Sequence, residues 1–184
     1  YTAKTFGEDR YTIWNMQSAY HNVPTINGVL QKDGTQWAAR DVRFIADSQP
    51  ASLTLELAGA YPEGAGVQSW VRRVTLNRGH SVEIREQYRL EALRGPLTLN
   101  LMTPLVPELD EPGRITLTLY EGTSPSATTT VSIDYDEQKF DVRFEPIPLE
   151  DERLRAGWGD RLTRIVLTAK RPRLSDTFTI TIRS

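Results

Sequence analysis

Cysteine is absent from this 184-residue chain, and histidine occurs only at His21 and His80. Without cysteine there can be no disulfide and no thiolate metal site, although the compartment is left open. With two histidines, a complete zinc site would need carboxylates converging on one imidazole, and no spacing in the sequence advertises that. No apolar run is long enough to span a bilayer, and no signal-peptide pattern opens the chain. The formal net charge of -2 gives no reason to expect nucleic acid or a membrane surface as the main partner. Phosphate-binding glycine loops and the nucleophile-elbow pattern of serine hydrolases are also missing. The chain opens on Tyr1 rather than Met, as expected of a fragment or a processed product. Absent targeting signals therefore say nothing about where the parent protein works.

What the chain does carry is alternation of period two. Leu53, Leu55 and Leu57 alternate with Thr54 and Glu56, and Val82 and Ile84 with Glu83 and Arg85. The same rhythm recurs at Leu97-Leu99-Leu101, Ile115-Leu117-Leu119, Val131-Ile133, Phe140-Val142-Phe144 and Phe178-Ile180-Ile182. Such alternation turns one face of each strand to a core and the other to water. About ten or more short strands separated by Gly, Pro, Asn and Asp clusters predict an all-β fold, an antiparallel β-sandwich with minimal helix. Asn77-Arg78-Gly79-His80 and Asp134 to Lys139 have the composition of hairpin turns, whereas 62–66 and 122–126 look like looser loops. At most a helical turn is expected around Glu150 to Arg155. With no repeat or linker, residues 1–184 form a single domain, in which the polar, aromatic stretch 1–35 is expected to be an irregular cleft wall.

Charge is unevenly spread. Residues 108–152 hold 12 acidic and 3 basic side chains, while 153–184 hold 8 basic and 2 acidic. The basic end could be a patch for an anionic polysaccharide. Neutralisation of acidic strands by basic neighbours across a sheet is the reading preferred here. Adjacent carboxylates at Asp134 and Asp136, Asp110 and Glu111, and Asp151 and Glu152 fall in predicted turns. Sequence adjacency does not place two carboxyl groups on opposite sides of a glycosidic bond, so a glycosidase pair is not expected.

The densest chemistry lies in Tyr20-His21-Asn22-Val23-Pro24-Thr25-Ile26-Asn27-Gly28-Val29-Leu30-Gln31. Read on residue types alone, His21 is either a metal ligand or a hydrogen-bonded ring that orients its loop. Asn22 suits sugar hydroxyls and local backbone bonding equally, whereas Asn27-Gly28 is a turn signal. Tyr1, Phe6, Tyr11, Trp14 and Tyr20 cluster nearby, and Tyr11 and Trp14 are candidates for stacking on sugar rings. Trp37, Trp70 and Trp158 are read as packing residues.

This segment resembles the His-Asn-x-Pro-x-x-Asn-Gly-x-x-Gln stretch of the heparinase II/III-like polysaccharide lyases. Residues 72–79, and 151–159 followed by Leu162 to Ile165, are similar to later pieces of the C-terminal β-sandwich portion of that family. The resemblance implies β-elimination on uronic-acid-containing polysaccharides such as glycosaminoglycans. It implies that His21 is one ligand of a zinc ion whose other ligands, a His and an Asp, lie upstream of this chain. It further implies that the catalytic Tyr and the charge-neutralising Asn or His lie largely in an upstream helical toroid domain. No catalytic residue is therefore assigned here, Asn22, Tyr11 and Trp14 are the substrate-binding candidates, and the isolated chain is expected to be inactive. The alternative is a stand-alone carbohydrate-binding or adhesion β-sandwich.

Overall fold

A computed structural model describes residues 3–46, 49–120 and 128–184. Alternating apolar residues drive two antiparallel sheets to pack face to face. The strands are β1 (Pro24–Thr25), β2 (Arg40–Ile45), β3 (Ala51–Glu56), β4 (Val67–Asn77), β5 (Ser81–Leu90) and β6 (Thr98–Thr103). They continue as β7 (Pro107–Glu111), β8 (Arg114–Tyr120), β9 (Thr128–Tyr135), β10 (Phe140–Pro148), β11 (Arg161–Ala169) and β12 (Ser175–Arg183). One sheet has four strands in the order β1-β6-β11-β10, and the other eight in the order β2-β3-β4-β5-β12-β9-β8-β7. The expected all-β sandwich is what the chain forms.

Register explains the core. Val74, Ile84 and Ile180 stand side by side on β4, β5 and β12, and Leu101, Ile165 and Phe144 do the same on β6, β11 and β10. Trp70 stacks on Tyr88, Tyr88 meets Phe178, and Phe178 meets Phe140, with successive ring centroids 4.8, 5.1 and 4.7 Å apart. This aromatic chain crosses from one sheet to the other. Ile115, Leu117 and Leu57 are buried as their alternation predicts, but Leu119 is 44% exposed. Eight strands are wider than the four that cover them, so Leu119, Leu76 and Phe44 remain uncovered at the margins.

One of the two expected hairpins forms and the other needs correction. The turn 77–80 does join a hairpin, closed by the His80 N–H on the Asn77 carbonyl at 2.9 Å. The turn at 134–139 does not, because β9 belongs to the eight-stranded sheet and β10 to the four-stranded one. Turn chemistry specifies a reversal of direction, and the tertiary packing decides whether the next strand pairs or crosses over. The loop read at 122–126 lies outside the described residues. Helix is sparse, as expected, with a single α-helix among the described residues. Helix α1 (Glu152–Trp158) is capped by Asp151, whose carboxylate accepts the Arg153 and Leu154 N–H groups at 2.9 and 3.2 Å. Those bonds hold the Asp151 carboxyl below the usual range. Within 1–35, the described residues from Ala3 to Tyr20 form a series of short 3-10 turns. The last of them, Ser18–Tyr20, packs against β1 and β6 of the four-stranded sheet.

Candidate functional site

The 3-10 wall has almost no core of its own, so polar contacts fix its position. No residue of its turns at 8–12, 14–16 and 18–20 is buried. From the large sheet, Arg72 donates through Nη1 to the Asn22 carbonyl at 2.6 Å. From the small sheet, Arg164 donates to the Ala19 carbonyl at 3.1 Å and lies 4.7 Å over the Tyr20 ring. Each arginine is held by a carboxylate. Glu86 pairs with Arg72 and also accepts the Trp70 indole N–H at 2.7 Å, and Glu145 pairs with Arg164. Behind the wall, Tyr61 donates its phenol proton to the Pro24 carbonyl at 2.5 Å. Burial pushes that phenol well above its ordinary pKa, so it stays protonated and remains a donor.

His21 and Asn22 sit where the wall turns into β1. The His21 Nε2 lies 3.2 Å from the Asn15 carbonyl. A carbonyl only accepts, so Nε2 carries the proton there and the neutral ring keeps its lone pair on Nδ1. The Asn22 Oδ1 accepts the Met102 N–H at 2.8 Å, which leaves the Asn22 amide donors with no partner among the described residues. Asn27 has a different task. Its Nδ2 donates to the Ala65 and Ala92 carbonyls at 2.8 and 3.0 Å, and its Oδ1 accepts the Arg94 and Gly95 N–H groups at 2.9 and 3.2 Å. With φ at 53°, it ties the turn to two distant loops. The preference for a backbone role at Asn27 is correct, and the role extends beyond the turn.

Two depressions flank His21. One, of about 400 Å³, is lined by Trp14, Asn15, Tyr20, His21 and Asn22 on the wall, by Met102, Thr103 and Pro104 at the end of β6, and by Leu154, Trp158 and Leu162. Trp14 meets Tyr20 edge-on at 5.1 Å, and Trp158 on the opposite lip is 52% exposed. The other, of about 580 Å³, places Tyr11 with Gln17, Gln31 and Lys32 on the far side of His21. The four predicted residues therefore gather around one point, with Trp14 and Asn22 on one side of His21 and Tyr11 on the other. Trp158 was missed. Its sequence neighbourhood has no periodicity, and the one available signal is the Gly157-Trp158-Gly159 break, where a helix ends and leaves the ring unpacked.

A zinc ion is poorly served by these residues alone. The imidazole is a suitable donor, yet among the described residues no group of three or more His, Cys, Asp or Glu side chains could hold a metal. One carboxylate of each pair considered above is occupied. Asp134 pairs with Arg114 and Arg183, Glu111 with Arg114, and Asp151 caps α1. The expected neutralisation of acidic by basic strands is visible at Glu145 with Arg164, Asp141 with Lys170 and Asp134 with Arg183.

Among solved structures, the chain is similar to a mutant of the heparan sulfate lyase HepC from Pedobacter heparinus, with a TM-score of 0.69 and 14% identity. The match covers 96% of this chain and 26% of that one. The chain shares the fold of a heparinase III segment. A heparinase III gene product with methylated lysines matches with a TM-score of 0.67 and 14% identity, over 96% of this chain and 25% of that one. A further structure of that heparinase III gives 0.66 and 13%, over 96% and 26%. The chain thus spans about a quarter of the length of the structures it matches. No protein-family model and no curated protein sequence matches it.

Proposed function

We propose that this β-sandwich forms one wall of the substrate cleft of a polysaccharide lyase acting on uronic-acid-containing polymers. The observation that carries the reading is the convergence of Trp14, Trp158 and the free Asn22 amide beside His21, in a fold shared with heparinase III. Aromatic faces suit the apolar faces of sugar rings, and an amide donor suits a hydroxyl or a uronate carboxylate. In β-elimination a base removes the proton next to the uronate carboxyl, the carboxylate charge is neutralised, and the glycosidic oxygen leaves. In this reading the base and the neutralising group belong to a helical toroid domain of a longer parent chain. The sandwich binds and orients the substrate. His21 offers Nδ1 as one zinc ligand, the remaining ligands coming from outside these residues, and the metal supports the wall.

The test has two arms. Trp158→Ala is expected to weaken binding of an acidic oligosaccharide by about tenfold, read by tryptophan fluorescence. Unchanged affinity would remove the cleft from consideration. The longer protein is expected to generate ultraviolet-absorbing unsaturated uronate ends, and the chain alone none. Product from the chain alone would overturn the assignment of catalysis to the toroid. A stand-alone carbohydrate-binding module is the second reading, favoured by the two indole rings, Trp14 and Trp158, that line the same depression. Full saccharide binding combined with an inactive parent would establish it.

A further inference from the structure

We propose that the outer face of the eight-stranded sheet is a separate polyanion-binding surface, where Arg43, Arg73 and Arg85 seat the sulfates or carboxylates of a linear acidic polysaccharide. Register places them in one row. Arg73 on β4 is the direct partner of Arg85 on β5, and Arg43 on β2 reaches Arg73 across Thr54 on β3. Neighbouring strands are about 4.8 Å apart, so two guanidinium stems stand side by side and the third is about 10 Å away. All three side chains are exposed. Like charges directly opposite each other weaken a sheet, so this row costs the fold stability and gives it none.

The rest of the face shows what neutralisation looks like in this protein. At the β8-β9-β12 end, Arg114 and Arg183 share Asp134. At the β2-β5 end, no ion pair or side-chain hydrogen bond joins Arg43, Arg73 or Arg85 to another described residue. Three acids neighbour the row. Glu56 is occupied by the Ala58 and Trp70 N–H groups and the Ser69 hydroxyl at 3.0, 2.6 and 2.6 Å. Glu83 lies in the adjacent row, between Thr75 and Thr181, and Asp41 shares a shallow groove of about 400 Å³ with Arg43 and Arg73. Neither Asp41 nor Glu83 pairs with the arginines. Threonine hydroxyls at 54, 75, 179 and 181 fill the spaces between charges and can bond to sulfate or sugar oxygens. The row presents no aromatic ring on which a base could stack, which favours a polysaccharide over a single-stranded nucleic acid. The inference stands independently of the cleft.

The experiment measures binding of the chain to fluorescent dextran sulfate, with neutral dextran and a poly(dT) oligonucleotide as controls. Wild type is expected to bind dextran sulfate with an affinity that falls as salt rises, and not to bind neutral dextran. Arg73→Thr with Arg85→Thr is expected to weaken binding about tenfold without lowering the unfolding midpoint, because a like-charge contact is removed. The pair Arg73→Lys and Arg85→Lys, which keeps the charge, should retain most of the affinity. Threonine variants that bind like wild type, or lysine variants that bind as weakly as the threonine ones, would overturn the proposal. Equally tight binding of poly(dT) would overturn the choice of polysaccharide. Loss on Trp158→Ala but not on the arginine changes would place the whole interaction in the cleft.

Discussion

Replacing Glu86 by glutamine removes the negative charge that Trp70 and Arg72 share in the interior. Glu86 is 1% exposed and Arg72 15%. The carboxylate accepts the Arg72 Nε–H at 2.6 Å and the Trp70 Nε1–H at 2.7 Å. Glutamine fills the same volume, but it is uncharged, and its amide offers two donors to a guanidinium that can only donate. Breaking one side of a buried pair costs about 3–5 kcal/mol, because the surviving charge stays desolvated. For a chain of this size, a loss of 3 kcal/mol corresponds to a fall in Tm of about 6–12 °C. Urea unfolding followed by circular dichroism reads the change directly. A Glu86→Gln protein within about 0.5 kcal/mol of wild type would refute the reasoning, since a surface-like effect would mean that the pair is solvated. Replacing both partners with apolar residues, Arg72→Met with Glu86→Leu, is expected to recover much of the loss. The double variant would still lack the Arg72 bond to the Asn22 carbonyl. Its stability would return while its saccharide affinity would not, which separates the fold from the cleft.

Two further predictions concern single groups. Asn27→Ala leaves two carbonyls and two N–H groups without their partner and is expected to cost about 2–4 kcal/mol in unfolding free energy; a change below about 0.5 kcal/mol would mean that water replaces the amide. Burial alone would raise the Asp176 carboxyl, but the Lys139 ammonium at 2.7 Å and the Thr177 N–H outweigh it and hold its pKa below the ordinary value. A lowered folded pKa means that this stabilisation is complete above the unfolded value of about 3.9 and is lost as pH falls through the folded one. The stability gap between wild type and Asp176→Asn should therefore be constant near neutrality and close below about pH 4. A gap that persists unchanged into acid would show that the charge is not what stabilises.

Period-two patterning made the strands legible because each has one face in the core, as at Ile115, Leu117 and Ile133. It could not reveal which sheet a strand joins, and so the turn at 134–139 read as a hairpin when it is a crossover. Nor could it reveal that four strands cover eight and leave Leu119 outside. Part of the site was legible for a different reason. His21, Asn22 and Trp14 are close in sequence, so a local segment carries them together. Trp158 comes from the other end of the chain, and its place on the same cleft is set only by the packing of α1 against the end of β11. Arg72 and Glu86 were hidden more thoroughly. Each occupies an inward position of a strand, where the alternation calls for an apolar residue, and charged residues there look like noise until the register pairs them.

That pairing shows how an irregular wall is held to a regular sandwich. The 3-10 segment buries too little to anchor itself by hydrophobic contact, and ordering such a chain is entropically costly. Each sheet meets that cost with the same device, an arginine fixed by a glutamate and reaching a backbone carbonyl. Arg72 with Glu86 grips Asn22 from the large sheet, and Arg164 with Glu145 grips Ala19 from the small one. Two rigid stems on different sheets define the position of the wall better than one could, because slippage between the sheets would have to break both. His21 lies two residues from Ala19 and next to Asn22, between the two grips. Its ring and the depressions on either side of it therefore depend on the packing of the whole sandwich, which also brings Thr103 and Leu162 to the same place from distant strands.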